Sequence, residues 1–363
     1  MSPTWNPDWA KTKRIPKFAN GSENSTRPFG PNNYLWGNMS AIDLLNIQQN
    51  EGADAVHRDF DILCAASGDF RNVLKSILGL PDGYEGNCRV VMNDFDFQVV
   101  ARNAIILLAA FFMKPEDVVP AIIHLWYSAY LPASLLAAFH ERVLPLIEDV
   151  CSKIVTRSNS IPLGKTWRLR SGRSLRLVLT KPDWHRLCKF LKIPDNITAE
   201  KVEAIRLARM YHPGRRDYSH RAYYSQWPAF RTCNDKFRKE GILLPFGASR
   251  KGFDIPNPTF LQVLPEWPFR DDAEPHCGWS HEDVLSGATR AKEDMLGSLF
   301  FMLRRLLLKF CDRIHSYKLE FRLYYLNARE LPKRLETWDE NLGLFDRIEA
   351  STSRCPAGTT SEY

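Results

Sequence analysis

The stretch DFDILCAASGDFRNVLKSI (Asp59–Ile77) constrains the fold most strongly. Its apolar run, Phe60–Ala66, reads as a buried strand. Gly68-Asp69 then opens a helix with Val73, Leu74, Ile77 and Leu78 on one face, and Pro81 stops it. CRVVMNDF (Cys88–Phe95) reads as a second strand. A helix follows from about Phe97 to Met113, with Asp96 as its cap and Pro115 as its stop. NAIILLAAFFM is apolar on every side, so this helix is expected to be buried nearly all round. Strand, helix, strand, helix in about fifty residues is the pattern of a parallel sheet with right-handed crossovers.

The chain has 363 residues, 44% apolar and 25% charged, enough to bury a sizeable core. A net charge of +7 permits acidic partners without demanding them. The eight cysteines include no CxxC pair, which speaks against a zinc module and for reduced core thiols in a cytosolic protein. The N-terminus carries no basic-then-apolar leader. The longest uncharged stretch, Val118–Phe139, is interrupted by Pro120, His124 and Pro132, so it is expected to form buried helices and not a membrane span.

Residues 1–33 read as a disordered tail rich in Pro, Asn, Ser and Gly. Order is expected to begin at YLWGNMSAIDLL, with Ser40 capping a short helix that carries Ile42, Leu44 and Leu45. Residues 34–114 form the first part of the sheet domain, and 115–315 a mainly helical insertion. Within the insertion, TWRLRSGRSLRLVLT (Thr166–Thr180) alternates around Ser171-Gly172 as a β-hairpin. Residues 255–285, rich in Pro and Trp, read as an irregular surface segment. A long helix spans about Ala288–His315. Strand periodicity returns in 316–350, at KLEFRLYYLNARELPKRL and LFDRIEAS, and 351–363 reads as a second tail.

A strand ending in a glycine turn aims the next helix's free N–H groups at whatever lies above it. Glycine lets a ligand approach the backbone, and an acidic residue ending the second strand can bind ribose hydroxyls. Ser67, Gly68 and Asp69 stand in the turn and Asp94 ends the second strand, about 26 residues on, a spacing that suits a βαβ unit. Asp69 has two readings: it lines the crevice, or it caps the helix while Arg71 pairs with a carboxylate such as Asp94 or Asp96.

Strand, turn, helix and VMND together resemble the opening of class I S-adenosylmethionine-dependent methyltransferases, and FRLYYLNARELP and FDRIEAS resemble their third and fourth strands. YLWGNMSAIDLL, AASGDFRNVLKSI, NDFDFQVVARNAIILL, GILLPFGASR and FDRIE are similar to a fungal family, domain of unknown function 4470, from about Tyr34 to Glu349. That family is related to the N-terminal part of dynein axonemal assembly factors. The resemblance implies an α/β, Rossmann-like fold. It implies S-adenosylmethionine contacts at Ser67, Gly68, Asp69, Asp94, Asn327 and Ala328, with Asn327 where the methyltransferases often have aspartate. Ala66 and Phe70 stand where they have glycines, which points to a degenerate cofactor site. The family's strands continue past DRIE, so the sheet is expected to be truncated, with its fourth strand as an open edge. The implied role is a protein-interaction or assembly factor; an active methyltransferase is the alternative.

A third reading, nucleic-acid binding, rests on Arg168, Arg170, Arg173 and Arg176 of the hairpin and on Arg206–Arg221 interleaved with tyrosines. Acidic residues lie throughout the chain, and the strand alternation makes the hairpin arginines an ordinary solvated face. His276, Cys277 and His281, two histidines and one thiol in a loop, are read as no metal site.

Overall fold

The structure, a computed structural model, describes residues 4–20, 28–31, 33–288, 291–338 and 344–350. Its strands are β1 (Phe60–Cys64), β2 (Asn87–Asp94), β3 (Tyr130–Pro132), β4 (Leu163–Arg168), β5 (Ser174–Leu179), β6 (Phe253–Pro256), β7 (Lys318–Tyr325) and β8 (Arg347–Glu349). β3 and β6 pair as a small antiparallel ladder. The other six form one sheet in the order β4-β5-β7-β2-β1-β8, parallel throughout except for β4 against β5. The fold is α/β, and Leu63 lies beside Val91 in register.

The chain winds from β1 to β2 to β7 toward one edge, then returns to place β8 on the other side of β1. In open α/β sheets a reversal of this kind places the ligand crevice outside the carboxyl ends of the two strands, here β1 and β8. β2 is buried on both faces through Val90, Val91 and Met92, as an inner parallel strand must be. The helix Phe97–Phe112 covers one face, and every residue from Phe97 to Phe111 is buried. It lies between the sheet and the helices Pro115–Tyr127, Ala133–Arg142 and Met295–Ser316. On the opposite face Leu63, Val91, Val178 and Tyr324 meet Leu331 and Leu335 of the helix Leu331–Trp338.

Three local expectations are corrected. The hairpin does not stand apart in the insertion: β5 pairs parallel with β7, and β4 becomes the sheet's edge. Its inward Leu175, Leu177 and Leu179 need a sheet face to cover them, and Lys165 and Arg168 mark the edge with charge. Residues 255–285 are irregular but not superficial, since Phe260, Trp267, Phe269 and Trp279 are all buried. Trp36 stacks on Phe269 with 3.9 Å between ring centroids. No helix carries Ile42, Leu44 and Leu45. The backbone N–H of Ile42 donates to Asn72 Oδ1 and that of Leu44 to Ser76 Oγ, so side chains of a neighbouring helix hold this segment along it.

The described part of residues 1–33 also differs from a free tail. Asp8–Thr12 is helical, and Trp5 packs edge-on against His220 and Tyr223. Arg14 pairs with the buried Asp217 at 2.5 Å, and the Phe29 N–H donates to Asp271 at 2.7 Å. β8 pairs with β1 on one side, and among the described residues no strand pairs its other edge. The tail expected at 351–363 lies outside the described residues. Among the described residues no helix is long and apolar enough to cross a membrane.

Candidate functional site

The crevice is built where β1, β2, β7 and β8 end. Gly68 adopts φ +54°, and a Cβ there would meet nothing within 4 Å, so the turn after β1 faces open space. Phe70, the second position where a glycine was looked for, is fully buried. Its ring packs edge-on against Phe310 at 5.1 Å and Trp126 at 6.2 Å, away from the crevice.

Asp69 neither caps the helix Arg71–Gly79 nor faces the crevice as a free ligand. The N-cap position is Phe70, with no side-chain cap. Asp69 Oδ2 accepts the Gly37 N–H at 2.9 Å, and its other oxygen pairs with Arg71. Arg71 therefore serves Asp69, where Asp94 or Asp96 had been expected, and its Nε donates to the Met39 carbonyl at 3.1 Å. This pair straps the segment around Gly37 over the turn.

The end of β2 is a polar staple. The buried Asn93 donates to the Ala65 carbonyl (2.9 Å) and the Leu326 carbonyl (3.1 Å), and its Oδ1 accepts the Leu326 N–H at 3.1 Å. Its carbonyl accepts the Ser67 N–H at 2.8 Å, which fixes Ser67 as a backbone tie. Asp94 Oδ2 accepts the Gly68 N–H at 2.9 Å, and Oδ1 accepts the Asp96 N–H at 2.8 Å. Asp96 in turn caps the helix Phe97–Phe112 through the Gln98 N–H at 2.8 Å, as its position in the sequence predicts. Asn103 Nδ2 donates to the Gly68 carbonyl at 2.8 Å. Burial raises the Asp94 pKa, and the backbone donors of Asp96 and Gly68 hold it back.

At the third strand Asn327 and Ala328 are both exposed on the rim. Asn327 Oδ1 accepts the Arg329 N–H at 3.0 Å and so closes its own turn. The six sequence-derived positions thus share one rim. Ser67 is tied to Asn93, Gly68 is bonded to Asp94, the buried Asp69 turns to the strap, and Asn327 and Ala328 border the opening.

Two rim residues went unnoticed in the sequence. Phe95, between the two aspartates, is 73% exposed, an aromatic face presented to solvent beside Asp94. An aromatic directly after an acidic strand end is the signal that would have marked it. Glu349 ends β8 opposite Cys64, and its Oε2 is buried without a hydrogen-bond partner among the described residues. Burial raises its pKa, Arg71 opposes that, and Asp94 adds to it. The only signal for Glu349 was its place at the end of a short strand. The site therefore offers one carboxylate already holding two backbone donors, one with a free oxygen, an exposed ring and an open glycine.

Part of the basic stretch is engaged by the protein itself: Arg206 and Arg215 are buried, while Arg216 and Arg221 are exposed. Arg206 donates to the Arg238 carbonyl at 2.6 Å, Arg215 pairs with Asp271 at 2.8 Å, and Arg216 pairs with Asp8 at 3.0 Å. Arg215 also lies over the Tyr218 ring, 4.0 Å from its centroid.

No curated protein and no solved structure matches the chain. Residues 35–131 match the family described as "Domain of unknown function (DUF4470)", a span that runs from the strap through β1, β2 and the two helices after them to β3 and so includes the turn and both aspartates of the crevice.

Proposed function

We propose that this chain is a Rossmann-like, methyltransferase-like cytosolic protein whose cofactor-gripping groups are tied up in its own polar network, and that it acts as an interaction or assembly factor for a protein partner. The sheet order supports the ancestry: third, second, first and fourth core strands lie side by side, as in doubly wound nucleotide folds. One observation carries the degenerate reading. The Gly68 N–H and the Asp94 carboxylate, the two groups that would grip a nucleoside cofactor, are bonded to each other. A cofactor would have to break that bond before using either group, at a cost of about 1–3 kcal/mol for a buried polar group left unpaired. An apolar groove of about 910 Å³ between the helices Pro228–Glu240 and Met295–Ser316, bordered by Phe246 and Phe301, suits a role in protein contacts.

A second reading, an active S-adenosylmethionine-dependent methyltransferase, is favoured by Phe70 lying outside the crevice and by Phe95 on its rim. Methyl transfer needs little beyond alignment of donor and nucleophile. Isothermal titration of the full chain with S-adenosylmethionine separates the two. No heat of binding is expected. Micromolar binding that is abolished in Asp94→Ala and weakened in Phe95→Ala would overturn the degenerate-site reading and favour the methyltransferase.

A further inference from the structure

We propose that Glu274, His276 and Cys277 form a site for one zinc-class divalent cation, bound by a carboxylate oxygen, an imidazole nitrogen and a thiolate. They lie at the turn Pro275–Gly278, outside the sheet crevice. His276 Nε2 is 3.4 Å from Glu274 Oε2 and 4.0 Å from Cys277 Sγ, and the three donor atoms lie within 4.8 Å of one another. Zinc bonds of about 2.0–2.3 Å at tetrahedral angles put nitrogen and oxygen ligands about 3.4 Å apart and nitrogen and sulfur about 3.6 Å apart. The first spacing is met. The second needs only a small swing of the exposed thiol.

The surroundings aim these donors. Asn234 Nδ2 donates to Glu274 Oε1 at 2.6 Å, which leaves Oε2 facing the imidazole. The Phe230 ring packs at 86° to the His276 ring, with centroids 5.0 Å apart, and fixes its plane. Outer contacts of this kind orient metal ligands. His276 Nε2 is the ring nitrogen that faces the Glu274 carboxylate and the Cys277 thiol, and a cation bound between them would displace any proton from it. A mixed nitrogen, sulfur and oxygen set suits zinc better than magnesium or calcium. Spacing alone groups His276 and Cys277 with His281. The fold supplies Glu274 because the Cys277 N–H donates to the Glu274 carbonyl at 3.2 Å and folds the turn back on itself. The Gly278 carbonyl accepts the Ala41 N–H at 2.9 Å, so a cation here would also stiffen the strap over the crevice.

The test uses the full chain stripped of metal, titrated with zinc against a chromogenic chelator and separately with cobalt(II) under absorption spectroscopy. One zinc per chain and a thiolate-to-cobalt charge-transfer band are expected. Cys277→Ser should lose the band and, because Cys277 is exposed, keep the metal-free melting curve. Glu274→Gln should lower zinc affinity by at least about tenfold, whereas Cys188→Ser should bind as the parent does. Absence of stoichiometric uptake, or a band that persists in Cys277→Ser, would overturn the assignment.

Discussion

Asp94 accepts the backbone N–H of Gly68 at 2.9 Å, joining the ends of β1 and β2 across 26 residues of chain. The acidic residue of the crevice is therefore a structural brace before it is anything else.

Asp94→Ala should destabilise the ligand-free protein by about 1–3 kcal/mol, because the Gly68 and Asp96 N–H groups lose their acceptor. Asp94→Asn keeps one acceptor oxygen and should lose less. Urea denaturation measures both. A neutral Asp94→Ala would mean that the brace is not formed in solution.

Asn93→Ala should cost more, about 3 kcal/mol, since it removes three hydrogen bonds inside the floor of the crevice. The loop after β7 should then exchange its amide hydrogens faster than the sheet does. An unchanged exchange pattern at Leu326 would contradict the staple.

Phe70 and Phe95 should respond oppositely to truncation. Phe70→Ala opens the core between Phe310 and Trp126 and should cost about 3–5 kcal/mol. Phe95→Ala removes an exposed ring and should stay within about 0.5 kcal/mol of the parent. Thermal melts of the pair decide which ring belongs to the core.

His124 is buried between Phe253 and Phe300, and burial lowers its pKa to about 4. The unfolded chain binds this proton near pH 6.5 and the folded chain does not. Folding stability should therefore fall as pH drops from about 6.5 to about 4, by on the order of 3 kcal/mol. Stability curves of His124→Gln should be flatter across that window. An equal slope would place the acid sensitivity elsewhere.

The N-terminal segment should be acid-labile at its own contact. The hydrogen bond from Arg14 holds the Asp217 pKa down at about 2, so this contribution is present above the unfolded value near 4 and is lost as pH falls toward 2. Arg14→Ala should release Trp5 and Trp9 from the surface around His220 at neutral pH. Tryptophan fluorescence and limited proteolysis would detect the release; an unaltered spectrum would argue that the aromatic contacts alone hold the segment.

Local periodicity was enough for the β1–helix–β2–helix order, the Asp96 cap, the all-round burial of Phe97–Phe111 and the hairpin turn with positive φ at Ser171 and Gly172. These follow from patterns two to four residues long, which a side chain's immediate neighbours enforce. Partnership across the chain was not legible. Asn93 meets Leu326 over 233 residues, β5 finds β7, and the aromatics of 255–285 become core because Trp36 and the helices close over them. The same limit explains Asp69. An aspartate beside a helix start reads as a cap or a crevice-lining ligand, and only the approach of Gly37 makes it a brace instead. Composition and spacing determined the elements of the β1–helix–β2–helix core and the hairpin. Tertiary packing decided which polar groups satisfy one another, because a hydrogen-bond partner is set by where distant segments meet.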